Sequence, residues 1–311
     1  MRRLILFLLS LFCGWILQGT ENEPLMLEVG GGYGQEKVVW KSLSDTEPRT
    51  LNFRESYRKL HFLESIAALR SIQYDFYFFL EGGYAYVFPV RLKEQLLIND
   101  VNAYLSCKAK GYQAHSFFLF GYEVDLTPDR FSHFFLTPLV GYGGFWKKLR
   151  EKNGAEDHLP TLFVEQEHSS LKQTWFGPYL GGGVFAQPDK LWRFEISYLF
   201  GWLHLRHSSR IFFDFLTPLE QGNVLQKEKD KKLAAFGHLA RAKLFYDLAP
   251  SWRASIVADY RYFSTKDPLI TRTVQTQEVF PISTTTSAQL RDRLHAWEYA
   301  LSFLLDISYA F

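Results

Sequence analysis

The last fifteen residues, "WEYALSFLLDISYAF", alternate with a period of two. Trp297, Tyr299, Leu301, Phe303, Leu305, Ile307, Tyr309 and Phe311 form one apolar, aromatic-ended set. The interleaved Glu298, Ala300, Ser302, Asp306, Ser308 and Ala310 are small or charged, with Leu304 among them. Such a period belongs to a β-strand whose two faces meet different surroundings. The run is more than twice the length of a common globular strand, about six residues.

The same alternation recurs upstream. "LMLEVGGGYGQEKVVW" sets Leu25, Leu27, Val29 and Tyr33 against Glu28, Gly30, Gly32 and Glu36. "YDFYFFLEGGYAYVF" sets Phe76, Phe78, Leu80, Tyr84, Tyr86 and Phe88 against Asp75, Glu81, Gly83 and Ala85. "HSFFLFGYEVDL" sets Phe118, Phe120, Tyr122, Val124 and Leu126 against Gly121, Glu123 and Asp125. "LWRFEISYLFGWLHL", "HLARAKLFYDL" and "SWRASIVADYRYF" repeat the pattern, with Arg193, Glu195, Arg241, Lys243, Asp247, Arg253, Asp259 and Arg261 on the polar side.

Two features choose between a soluble sandwich and a membrane barrel. The apolar faces begin and end in Trp or Tyr, as expected of a girdle at two membrane interfaces: Trp192, Tyr198, Trp202, Trp252, Tyr260, Tyr262, Trp297 and Tyr309. The strands are also too long for a sandwich. Short turn signals at "SIQYD", "LTPDR", "AQPDK" and "LAPSW" alternate with long polar stretches at 41–57, 91–112, 150–172, 209–235 and 265–295. Short inner turns and long outer loops are the habit of outer-membrane barrels. The reading is an all-β, closed antiparallel transmembrane β-barrel of about ten strands, with twelve as the fallback. The strands fall near 25–41, 57–72, 74–90, 111–126, 133–149, 172–187, 190–208, 236–248, 251–265 and 295–311. The second of these, "LHFLESIAALRS", also reads as a helix.

Closure answers why the last strand is patterned to its end. Backbone groups in lipid have no water to bond, so the last strand must pair with the first.

The N-terminus, "MRRLILFLLSLFCGWILQGTENEP", has two Arg, then an apolar run from Leu4 to Leu17, then polar residues. This is the three-part pattern of a secretory signal peptide, and the run is shorter than a spanning helix needs. Residues 1–19 are assigned as the signal, with cleavage near Gly19, and 20–311 as the barrel domain. Phe12 ahead of Cys13 argues against a lipoprotein site, and the mature chain keeps one thiol, Cys107. The formal charge of +2 gives no basis for a nucleic-acid partner.

Three segments together carry a family likeness: "FLTPLVGYGG" (135–144), "WFGPYLGGGV" (175–184) and "RLHAWEYALSFLLDISYAF" (293–311). They resemble the chlamydial outer-membrane β-barrels typified by the Protochlamydia outer-membrane protein family, which is related in fold to the ten-stranded omptin barrels. The resemblance implies an outer-membrane location and, for some members, porin-like activity, with no catalytic residues to carry over. The ending also resembles the signal by which outer-membrane proteins are recognised for insertion, here Leu305, Ile307, Tyr309 and Phe311. The implied partners are outer-membrane lipid and the barrel-assembly machinery.

The candidate site is the charged inward face: Glu81, Glu123, Asp125, Arg193, Glu195, Arg241, Lys243, Arg253, Asp259, Arg261 and Glu298, together with Glu28, Glu64, Arg70, Asp75, Asp247 and Asp306. Acids gather on the first, third, fourth and tenth strands and bases on the seventh to ninth. This predicts a transverse field in a narrow lumen passing small solutes or ions, unless the charges pair and plug it. The competing reading is a closed structural or adhesion barrel acting through its outer loops on a host or envelope partner. An omptin-like protease comes third. His204 and His207 in "WLHLRHSSR" have no Asp two residues before them, and "LINDVNA" has Asp100 without a D-x-D pair, so the chain is read as no enzyme. "EVGGGYGQ" lacks the Lys-Ser/Thr of a phosphate loop. "VEQEH" (164–168) and "QKEKDKK" (226–232) read as hydrated outer loops, the Thr-rich 271–289 as either a folded-over lid or an adhesive loop, and His238 as a surface or interface histidine. No cofactor or metal is expected.

Overall fold

The computed structural model describes residues 25–311, apart from 45–50, 74, 99–100, 128–132, 156–162, 167–169, 189–190, 217–220, 267 and 281–283. The signal segment 1–19, with Cys13 and Gly19, lies outside the described residues, as do Asp100, Glu167 and His168. Apart from short turns and breaks, the described chain is strand, with no helix among the described residues. In order the strands are β1 (Met26–Ser44), β2 (Leu51–Gln73), β3 (Phe76–Ile98), β4 (Val101–Tyr122), β5 (Val124–Asp125), β6 (His133–Ala155) and β7 (Phe163–Gln166). Then follow β8 (Ser170–Gln187), β9 (Trp192–Leu216), β10 (Gln221–Ala249), β11 (Trp252–Thr265), β12 (Leu269–Phe280) and β13 (Thr284–Ala310).

Ten staves make the wall, all paired antiparallel: β1, β2, β3, β4, β6, β8, β9, β10, β11 and β13. β13 returns to β1 in continuous register from Met26 opposite Ala310 to Ser44 opposite Asp292. The last residue takes part: Phe311 N–H donates to the Leu25 carbonyl at 3.1 Å. Among the described residues the ten staves therefore close with no unpaired edge standing in lipid.

The small strands continue staves. β5 carries the β4 stave past a break at Glu123, whose N–H turns to the Asp75 carbonyl at 2.7 Å. β12 carries the β11 stave past Pro268, pairing β10 on one side and β13 on the other. β7 pairs the outer end of β9.

The long stretches expected as loops are therefore largely wall. At a strand rise of about 3.3 Å per residue, β10 and β13, with 29 and 27 residues, far exceed what a membrane needs. Their outer halves alternate too weakly in polarity to be read as strands, because neither face there meets lipid. The inner turns are short as expected, and Asp75 takes a left-handed φ of 67° in the first of them.

Parity holds through the wall. Leu305 is 68% exposed while its neighbour Leu304 is 1% exposed. The outward face of β9 runs from Trp192 to Trp202, about 33 Å along a strand tilted about 40°, or roughly 25 Å of height, which is the thickness of a barrel's apolar band. Trp192 packs on Tyr246 and Trp252 on Tyr309 at the inner end. At the outer end Trp202, Phe236, Ser264 and Trp297 stand in one register row, and Trp297 stacks on Tyr299. Tyr262 is one row below. Tyr198 and Tyr260 share a row below that, and both are exposed on the outward face. Leu305, Ile307 and Phe311 are exposed on the same outward strip.

Candidate functional site: the barrel interior

Alternation places a charged side chain in the lumen but does not say what faces it. In the structure the inward cations Arg70, Lys147, Arg193, Arg241, Lys243, Arg253 and Arg261 each meet a carboxylate, and the pairs are stacked in tiers from the inner mouth outward.

At the inner mouth Arg253 Nε donates to Asp247 at 2.5 Å, and Arg193 reaches the other oxygen of Asp247 at 3.2 Å. Beside them Arg70 meets Glu195 at 2.7 Å and lies over the ring of Tyr77. The next tier joins three strands: Lys243 Nζ lies 2.6 Å from Glu28 and 3.2 Å from Asp306.

The middle tier is the most connected. Arg241 is bidentate twice, to Glu81 at 2.6 and 3.0 Å and to Asp259 at 2.7 and 2.9 Å. The geometry is that of the planar guanidinium fork, which lysine cannot reproduce. His115 bridges two acids, with Nε2 3.1 Å from Glu81 and Nδ1 3.1 Å from Glu64. Arg261 adds contacts to Gln113 at 2.8 Å and Glu64 at 3.8 Å. A cavity of about 70 Å³ remains here, lined by Glu81, His115, Phe117, Arg241 and Asp259 among others, room for several waters.

Above it, Lys147 bonds both Glu36 and Glu298, the latter at 2.8 Å, and Trp175 Nε1 donates to Glu298 at 3.2 Å. Outermost, His207 Nε2 and Ser209 Oγ both lie 3.1 Å from the same oxygen of Glu228.

Between the middle and upper tiers lies an aromatic layer. Phe117 packs on Phe145 at 4.9 Å and on Tyr179 at 5.5 Å. Phe263 packs on Phe145 at 4.9 Å and stacks on Trp175 at 5.5 Å. Higher still, Trp40 stacks on Tyr57 and meets the His207 ring edge-on. These rings belong to one continuous buried cluster that runs through the interior.

Glycines on facing strands make room for such side chains. A Cβ on Gly83 would stand 2.2 Å from His115 Cε1, and one on Gly143 would stand 2.3 Å from the Phe117 ring. Gly82 points outward, and a Cβ there meets nothing closer than 3.9 Å. Gly83→Ala is expected to cost about 1–3 kcal/mol by forcing His115 off its two carboxylates, and Gly82→Ala about nothing. Urea titration of the two variants in lipid vesicles, followed by Trp fluorescence, checks the contrast.

Glu81, Arg193, Glu195, Arg241, Lys243, Arg253, Asp259, Arg261 and Glu298 thus sit on the inward face in the tiers described. Glu123 lines a small cavity at the inner mouth with Arg70 and Glu195. Asp125 does not line the lumen. It is exposed beyond the Glu123 break, where the backbone and hydroxyl of Thr127 both donate to it and hold its carboxyl below the usual range. The two banks of opposite charge expected across the lumen do face one another, and their field is spent in pairing. Glu28, Glu64, Arg70 and Asp306 join them. His115, Lys147, Glu36 and the interior aromatics were not singled out as site residues from the sequence. His115 and Lys147 sit in runs whose opposite face is aromatic, and that face drew the reading. His204 faces outward against Phe176, and His238 faces outward too, bonded to Tyr198 at 2.5 Å.

Comparison with solved structures gives the same architecture. The outer membrane protease OmpT from Escherichia coli superposes with a TM-score of 0.61 at 10% identity, covering 94% of this chain and 99% of that one. The Pseudomonas putida toluene transporter TodX matches at a TM-score of 0.33 and 8% identity, covering 94% of this chain and 90% of that one. The translocator domain of the Neisseria meningitidis autotransporter NalP matches at 0.34 and 10%, covering 100% and 97%. At such identities the likeness to OmpT speaks for the fold, and the two lower scores add nothing to it. Among curated proteins none matches the sequence. The Protochlamydia outer membrane protein family matches across residues 28–311, nearly the whole barrel. The chain belongs to that family of outer-membrane β-barrel proteins.

Proposed function

We propose that this protein is a closed outer-membrane barrel whose working surface is its tall outer wall and hairpin tips, directed at an envelope or host partner. The observation that carries this reading is the aromatic layer Phe117–Phe145–Phe263–Trp175, held between tiers of mutually paired charges. A pore that passes ions needs sites that bind weakly and release. Charges fixed in bidentate pairs, with apolar rings between them, offer little of that. Ten staves also stand near the size at which side chains fill a barrel.

The porin-like reading, in which small solutes or ions cross a narrow charged lumen, is the second one. It draws on the cavity beside His115, which could widen into a path if the middle tier exchanged partners. The protease reading gains little support from its rim histidines. His207 and Ser209 compete for one carboxylate, and a general base needs that carboxylate behind it, with a nucleophile in front. Export by the segment 1–19 and delivery to the assembly machinery through Leu305, Ile307, Tyr309 and Phe311 complete the proposal.

The test compares two sets of variants in cells lacking the native chain. Removing the β12–β13 tip, residues 274–287, is expected to abolish the protein's surface phenotype while the barrel still shows heat-modifiable migration. Neutralising Arg253 and Asp247 together is expected to leave that phenotype intact. The opposite pattern would move the function back into the lumen.

A further inference from the structure

The middle tier is built round one imidazole with a carboxylate on each nitrogen. His115 Nε2 lies 3.1 Å from Glu81 and Nδ1 lies 3.1 Å from Glu64, and all three side chains are buried. A neutral imidazole has one N–H and one lone pair, so it donates to one carboxylate and turns its lone pair on the other. The imidazolium alone donates to both. The charges of the tier say the same: Glu64, Glu81 and Asp259 stand against Arg241 and Arg261, and the third cation is His115 with its second proton. Without that proton one buried carboxylate is in excess, which is costly where little water reaches.

The groups facing the ring do not replace it. β2 presents Glu64, β3 Glu81, β10 Arg241, and β11 Asp259 and Arg261. Arg241 is engaged by Glu81 and Asp259, while Arg261 donates to Gln113 at 2.8 Å and stands 3.8 Å from Glu64. Lys147 of β6, the next cation outward, is held by Glu36 of β1 and Glu298 of β13. Tyr179 of β8 packs on Phe117. Glu64 therefore depends on His115 for its short contact. The same ring touches the layer that fills the lumen, with Phe117 at 5.8 Å and Phe145 at 5.5 Å, and it borders the cavity of about 70 Å³, into which a released ring can turn. We propose that His115 is a proton-binding site that latches the lumen. As imidazolium it ties Glu64 to Glu81 beneath the aromatic layer. On giving its proton to solvent it frees Glu64, admits water to the tier and loosens Phe117 from Phe145. The closed form holds one proton more than the open one, so closure is favoured at low pH and lost as pH rises. The inference rests on the reading of a closed lumen.

The test is single-channel recording of the full chain, refolded in a planar bilayer, at about pH 6 and about pH 10. The native chain is expected to be silent at the lower pH and to show unitary steps at the higher, with open probability rising by up to about tenfold per pH unit, the limit for one proton. His115→Gln is expected to conduct at both, because an amide donates to one carboxylate and turns its oxygen on the other. Glu64→Gln is expected to be silent at both. Its amide N–H donates to the lone pair of a neutral ring at Nδ1 while Nε2–H stays on Glu81, so the bridge survives without the second proton. Heat-modifiable migration verifies folding. Nitrogen-15 NMR of the histidine-labelled native chain in nanodiscs gives a reading that needs no folded variant: the His115 ring is expected to pass from imidazolium to neutral over the pH interval in which the steps appear. A ring that is neutral at both pH values overturns the proposal. Silence of the native chain at both overturns the latch and leaves the closed lumen standing, whereas steps at both overturn the closed lumen itself. Steps at high pH that persist in Glu64→Gln trace the opening to Lys147 or Lys243 and overturn the latch.

Discussion

Arg241→Met is expected to destabilise the barrel by about 3–5 kcal/mol, the largest loss of any single lumen charge. The guanidinium makes four charge-assisted bonds, two to Glu81 and two to Asp259, and its removal leaves both carboxylates without their main counter-charge in a poorly hydrated interior. Glu81 retains only His115, which Glu64 shares. Neutralising all three together, by Arg241→Met, Glu81→Gln and Asp259→Asn, is expected to recover most of the loss, because amides need hydrogen bonds but no counter-charge. Urea unfolding in vesicles of the single and triple variants checks both. A single-variant loss below about 1 kcal/mol would mean that the carboxylates are hydrated, as in an open channel, and would count against a filled lumen.

The second large effect is expected at the aromatic layer. Phe263 is fully buried between Phe145 and Trp175, and Phe145 is buried against Phe117. Each Phe→Ala change is expected to cost about 3–5 kcal/mol. The double variant Phe145→Ala, Phe263→Ala removes two rings next to the cavity at His115 and so joins that cavity to the upper tier. Discrete conductance steps in a planar bilayer are expected from the double variant. A folded double variant that stays silent would place the constriction at another tier, with Lys147 and Glu298 the nearest.

The residue pattern gave the wall readily and the interior poorly, for a physical reason. Lipid imposes one requirement on every outward position, so the alternation of "WEYALSFLLDISYAF" or "LWRFEISYLFGWLHL" survives without knowledge of neighbours. The interior imposes different requirements at each level. Tyr77, Phe79, Phe117 and Phe145 point inward from strands whose outward faces are also aromatic, and local contrast disappears there. His115 matters because Glu64 and Glu81 converge on it from neighbouring strands, and Lys147 because Glu36 and Glu298 reach it across the barrel. Such convergence is set by shear and register, which no single strand encodes. The misplacement of Asp125 has a local cause: at Glu123 the β4 stave breaks toward Asp75, and parity counted through the break carries no meaning. The outer loops were misread because β-propensity in polar segments such as Thr271–Glu278 shows no alternation to count.

The central claim is that opposed charges and stacked rings close the lumen. Single-channel recording of the refolded chain in a planar bilayer tests it most directly. Folding is verified by heat-modifiable migration. The account predicts a quiet trace across the whole voltage range at which the membrane survives. Regular unitary steps, with ion selectivity shifted by Arg253→Gln plus Arg261→Gln, would contradict it and establish a pore lined by the tiers described.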